Sequence, residues 1–96
     1  MAKIAEERLD AVRRYLHQVF PGWALAEAWD RDRDAHTFLL KKPREPVYLL
    51  KVSRTLLDDC GPRKLAGLLE GHQVAHALRK ASHRRLLLSG RGLDPI

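Results

Sequence analysis

Two histidines, His72 and His76, stand four residues apart in a segment with a helical hydrophobic pattern. On a helix this spacing places both imidazoles on one face, where they can share a metal ion. We favour the simpler interpretation that both lie on a solvated helix face. If a metal were bound, its further ligands would come from His83, Cys60, Asp58 and Asp59.

The histidine pair lacks the chemistry of a zinc peptidase. The zinc-peptidase signature has the same histidine spacing, but a glutamate follows the first histidine and acts as general base on the metal-bound water. Here that position is Gln73, whose amide cannot accept the proton. Peptidase activity is therefore not expected.

Basic residues near the end of the chain form the second candidate site. The 96 residues include 18 Lys and Arg against 12 Asp and Glu, a net charge of +6. Residues 61–96 hold seven of these bases and two of the acids, a charge of +5, whereas residues 1–60 carry +1. Phosphates attract such an excess of positive charge. The sequence therefore predicts a nucleic-acid-binding surface that consists of Arg63, Lys64, Arg79, Lys80, Arg84 and Arg85.

Helical spacing would concentrate part of this charge on one face. On a helix over 72–82, four side chains project within a narrow arc and two bases flank them. We call this set the cationic stripe: His72, His76, Arg79 and His83, flanked by Lys80 and Arg84. The alternative is a solvated basic face that only keeps the protein in solution.

The order helix, three strands, helix resembles that of double-stranded-RNA-binding domains. As in those domains, two bases, Arg63 and Lys64, stand at a helix start. The resemblance ends with the topology, because residues 54–60 intervene between the third strand and that helix. In addition, the acidic turn 30–34 occupies the place of a loop that should enter a groove. We therefore assign the chain to no family.

The sequence offers no set of residues typical of an enzyme or a cofactor site. Residues 89–92 lack the spacing of a phosphate-binding loop, and no Ser/His/acid set or carboxylate pair can be assembled. Cys60 stands beside Asp58 and Asp59, which disfavour a thiolate. We expect a non-enzymatic protein that uses no cofactor.

The hydrophobic pattern predicts an α+β fold in a single domain spanning residues 1–96. It begins with an amphipathic helix over 3–20, followed by three strands that form an antiparallel meander. The strands start at Trp23, His36 and Val47, and Thr55 caps a short turn or helix. Trp23 and Trp29 are expected to supply bulk to the core.

The last third is predicted to be mainly helical. Leu65 and Leu69 fall on the opposite side from Val74 and Leu78, so we expect two helices, 62–70 and 72–82, broken near Gly71. Residues 86–88 form a short final strand, and residues 94–96 a loose tail. Because helices and strands are segregated along the chain, a parallel sheet is not expected.

Composition sets the remaining expectations about partners and location. The positive charge favours an anionic partner, with nucleic acid the first candidate. The alternative is a protein-interaction or adaptor domain, including a homodimer through a strand edge such as 36–42. No apolar run approaches the roughly 20 residues that cross a bilayer. With a single cysteine and no export signal, we expect a cytoplasmic protein without membrane contact.

Overall fold

The computed structural model describes residues 6–80 and 85–96. Its first element is helix α1, Glu6–Val19, which buries Leu9, Val12 and Leu16 along one side. These positions recur at helical spacing, so one face of the helix meets the core while charged residues occupy the other. The described part of the predicted N-terminal helix is confirmed.

The sheet has five strands, and neighbouring strands in the sheet are also consecutive in the chain. They are the predicted meander of three, the predicted final strand 86–88 as β4, and an additional strand β5. The first three pair antiparallel as predicted, β3 pairs with β4 in parallel, and β4 pairs with β5 antiparallel. The strands are β1 Ala24–Asp30, β2 Ala35–Lys41, β3 Tyr48–Ser53, β4 Arg85–Ser89 and β5 Gly92–Pro95. The expected absence of parallel pairing was wrong, because the helical segment after β3 acts as a crossover. The predicted loose tail was also wrong, because most of it pairs with β4.

Three short helices form that crossover: α2 Arg54–Asp59, α3 Pro62–Gly71 and α4 Val74–Arg79. The cap of α2 is Ser53 rather than Thr55, because the Ser53 hydroxyl accepts a hydrogen bond from the Leu56 N–H at 3.2 Å. The predicted break near Gly71 is displaced. Gly71 is the last residue of α3, and the left-handed residue that turns the chain is Gln73, with φ 50°.

The hydrophobic core lies on one face of the sheet, beneath the helices. Even-numbered residues of the three central strands point into it, as their burial shows. The other face carries the half-buried Leu39, Leu49 and Leu87. Trp23 packs against the core as predicted, but Trp29 is 37% exposed near the end of β1. The expectation that Trp29 supplies core bulk was therefore wrong.

Among the described helices, none combines the length and the apolar character that crossing a bilayer requires.

Candidate nucleic-acid interface

The register of the sheet brings three basic segments to one end. Leu40 near the end of β2 lies opposite Tyr48 at the start of β3, and Leu49 lies opposite Arg85 at the start of β4. One end of the sheet therefore carries the end of β2, the β2–β3 loop and the start of β4. Lys41, Lys42 and Arg44 come from the first two of these segments, and Arg85 from the third.

Aromatic contacts fix the end of α4 at the same place. Arg79 donates a hydrogen bond to the Val19 carbonyl at 2.6 Å, and its guanidinium lies 4.7 Å from the Phe20 ring. The Phe20 ring in turn lies 5.3 Å from that of Tyr48, the first residue of β3. The end of α4 and Lys80, which follows it, are thus held beside the start of the central strands.

We call the bases at this end of the sheet the basic end, which comprises Lys41, Lys42, Arg44, Arg79, Lys80 and Arg85. All six residues are exposed. Within 6–80 and 85–96, five of them form no ion pair or side-chain hydrogen bond, and Arg79 contacts only the Val19 carbonyl and the Phe20 ring. The contributing segments, 41–46, 79–80 and 85, contain one acid, Glu45.

Arg44 lies at the tip of a tight turn between β2 and β3. The Glu45 N–H donates to the Lys42 carbonyl at 3.1 Å, which closes a four-residue turn with Pro43 and Arg44 at its centre. Arg44 has φ 68°, as the third residue of a type II turn requires. Glycine or asparagine normally occupies this position, because a larger side chain raises the backbone energy there. An arginine is therefore held at the tip of the turn at some cost in stability.

Arg13 and Lys51 are compensated by acids, in contrast to the bases of the basic end. Arg13 pairs with Glu6, Asp10 and Glu27, and the contact with Glu27 is bidentate at 2.6 and 2.9 Å. Lys51 pairs with Asp30, which lowers the pKa of that carboxyl. These pairs join elements of the fold, and their charges are largely neutralised for any partner.

The Arg13 pairs belong to a cluster under the first strand. The hydrogen bonds from the Arg13 guanidinium hold the pKa of the Glu27 carboxyl below its usual range. A second hydrogen bond, between the Glu27 carboxylate and the His36 ring at 2.9 Å, lowers this pKa further. Hydrogen bonds to the carboxylates of Glu27, Glu6 and Asp10 raise the pKa of Arg13. The His36 ring also packs 4.9 Å from Phe38, at the edge of the core. This arrangement fixes α1 on β1 and β2, and it leaves Glu27 as an ion-pair partner rather than a free base.

The structure divides the six sequence-predicted residues between two places. Arg79, Lys80 and Arg85 belong to the basic end. Arg63 instead lines an open groove of about 390 Å³ between α1 and α3, together with Arg14 and three acids: Glu7, Asp10 and Glu70. Lys64 follows Arg63 in the first turn of α3 and is exposed. Arg84 lies outside the described residues, as does His83.

The helix break also changes the geometry of the histidine pair that a metal ion would have to share. His72 is the C-cap of α3, whereas His76 lies in α4, and the left-handed Gln73 stands between them. The two histidines therefore do not have the spacing of one continuous helix, and the described members of the cationic stripe are divided between the end of α3 and α4. Within the described residues, no group of three or more His, Cys, Asp or Glu side chains could hold a metal ion.

No family model, curated protein or solved structure matches this chain. The geometry of its own residues is thus the basis for a functional assignment. Sequence reasoning missed Lys41, Lys42 and Arg44, because they lie in the nearly neutral first 60 residues. Their run of three bases within four residues, interrupted by Pro43, was the local signal available.

Proposed function

We propose that this chain is a non-enzymatic nucleic-acid-binding domain whose basic end contacts the phosphate backbone. The observation that carries the proposal is the gathering of six exposed bases from three separate segments, which contain one acid, Glu45. Five of these side chains make no compensating interaction within the described residues. Such bases attract a polyanion and release its condensed counterions on binding.

The shape of the basic end favours backbone contact over base reading. Its charges come from a turn, two strand termini and the end of the six-residue helix α4. Sequence-specific readers usually insert a helix or a two-stranded ribbon into the major groove. Lysine and arginine side chains at strand and turn ends contact phosphates, which carry no direct sequence information. We therefore expect little dependence on base sequence and a strong dependence on salt.

Charge reversal at the basic end tests the proposal. Binding of labelled duplex DNA and duplex RNA is measured by fluorescence anisotropy for the natural chain and two double variants. Lys42→Glu/Arg44→Glu changes the turn, and Lys80→Glu/Arg85→Glu changes the ends of α4 and β4. Each is expected to weaken binding at least about tenfold, because two phosphate contacts become repulsive.

A matched control separates a local site from net charge. Arg31→Glu/Arg33→Glu makes the same change in charge in the β1–β2 turn, at the opposite end of the sheet. It should weaken binding by less than about threefold, through the long-range field alone. An equal loss in the control and the basic-end variants would refute the assigned surface. No binding by the natural chain at low salt would refute the function itself.

Arg63→Glu/Lys64→Glu tests two sequence-predicted residues that lie outside the basic end. Because Arg63 shares its groove with three acids, this variant should resemble the control. A loss as large as that at the basic end would extend the interface to the start of α3.

A further inference from the structure

The first strand of the sheet is an edge that lacks the usual protection against pairing. β1, Ala24–Asp30, is seven residues long and pairs with β2 in an unbroken register, without a bulge. Its sequence contains no proline and no lysine, the residues that commonly block such edges. The opposite edge, β5, has four residues and includes Pro95. The two edges therefore differ, and β1 is the one open to a further strand. The expectation that 36–42 forms an edge was wrong, because β2 is paired on both sides.

The two charged side chains of β1 do not protect it either. Glu27 is bound by Arg13 and His36, and Asp30 by Lys51. Each carboxylate thus has a basic partner in its own chain, which reduces its repulsion of an incoming strand. The remaining residues are Trp29, Leu25 and three exposed alanines. The alanines lie on the open face of the sheet, where they present little bulk.

We propose that β1 pairs antiparallel with β1 of a second copy of this chain, which joins two five-stranded sheets into one of ten strands. Antiparallel overlap of the full seven residues has a single register, centred on Glu27. In this register Ala26 lies opposite Ala28 of the second copy, and Leu25 lies opposite its Trp29. Roughly six backbone hydrogen bonds would form between the two strands.

Two kinds of apolar side-chain pair favour a second copy in this register, in which the Glu27 side chains, each bound by its own Arg13, meet at the axis. Trp29 is 37% exposed, one of three large hydrophobic residues so exposed in the described part of the chain. Self-pairing places it beside the half-buried Leu25 of the other copy, and the two-fold axis repeats the contact. Aromatic and aliphatic neighbours across a strand pair stabilise a sheet. On the other face, the Ala26–Ala28 pairs extend the apolar surface formed by Leu39 and Leu49.

Sedimentation analysis over a wide concentration range tests this pairing. The natural chain is expected to pass from monomer to dimer as its concentration rises. Ala26→Lys/Ala28→Lys would place two lysine pairs face to face across the axis and should raise the dissociation constant of the dimer at least about tenfold. Both alanines are exposed, so the variant monomer should keep its fold, which circular dichroism checks.

Two further measurements make the test specific to β1. Asp94→Lys adds the same two units of positive charge at the other edge of the sheet and should leave the dimer unchanged. Trp29→Ala should weaken the dimer about tenfold, because it removes the aromatic contact with Leu25. A monomer at all concentrations would overturn the proposal. So would a dimer that resists the β1 variants, or one that Asp94→Lys weakens equally.

Discussion

Tyr15 joins the first helix to the start of α4 through one buried hydrogen bond. Its hydroxyl accepts a hydrogen bond from the Ala75 N–H at 3.0 Å. The cap residue of α4, Gln73, provides no side-chain cap, so Tyr15 takes over that role from another element. Arg8 acts similarly on α2, where it donates to the carbonyls of Leu57 and Asp58. Side chains of α1 thus bind free backbone groups at the ends of two of the three crossover helices.

Tyr15→Phe should lower the free energy of unfolding by about 1–3 kcal/mol, because a buried N–H loses its acceptor. Urea denaturation measures the change. Tyr48→Phe is the control, since Tyr48 is also buried but its hydroxyl makes no hydrogen bond within the described residues. Equal effects of the two substitutions would show that the Tyr15 hydroxyl does not cap α4.

Arg44 provides a separate test of function against stability. Arg44→Gly removes a charge from the basic end and relieves the left-handed backbone, whose φ is 68°. We expect the variant to be as stable as the natural chain, or more stable by up to about 1 kcal/mol, and yet to bind nucleic acid more weakly. Thermal unfolding and anisotropy measure the two effects. Unchanged binding would remove Arg44 from the interface.

At the scale of elements, the break between α3 and α4 depends on Gln73 rather than on Gly71. Gln73 has φ 50°, whereas Gly71 is helical and open space surrounds the position of an added Cβ. Gln73→Gly should therefore leave stability unchanged or raise it by up to about 1 kcal/mol, because glycine adopts this conformation without steric cost.

Gly71→Ala should also be stabilising, by about 0.5–1 kcal/mol, since alanine is the better helix former. Chemical denaturation of the two variants checks both values. A clear loss of stability on Gly71→Ala would indicate that the chain turns at Gly71, as the hydrophobic pattern alone suggested.

Local pattern was sufficient for some elements and insufficient for others. The spacing of Leu9, Val12 and Leu16 predicted α1, and the change to alternation after Pro21 predicted the first strand. β5 was missed because Gly92–Pro95 has too little alternation to indicate a strand, and it is held by pairing with β4. The parallel pairing of β3 and β4 joins segments more than 30 residues apart, which local pattern does not reveal.

At the scale of the whole molecule, the fold brings together bases that are far apart in the sequence. The sequence placed the excess in residues 61–96, yet the basic end draws half of its bases from residues 41–44. Arg63, by contrast, faces acids in the groove between α1 and α3. Charge counting therefore identified Arg79, Lys80 and Arg85. It did not identify Lys41, Lys42 and Arg44, which lie near Arg85 because the crossover brings β4 beside β3.

The salt dependence of duplex binding tests the central claim most directly. If three to five bases of the basic end contact phosphates, affinity should fall on the order of 40- to 500-fold between about 50 and 200 mM salt. Lys42→Glu/Arg44→Glu should reduce the slope of log affinity against log salt by about 2, one unit for each lost phosphate contact. Arg31→Glu/Arg33→Glu should leave that slope unchanged. A slope near zero, or one that both variants reduce equally, would contradict binding through the basic end.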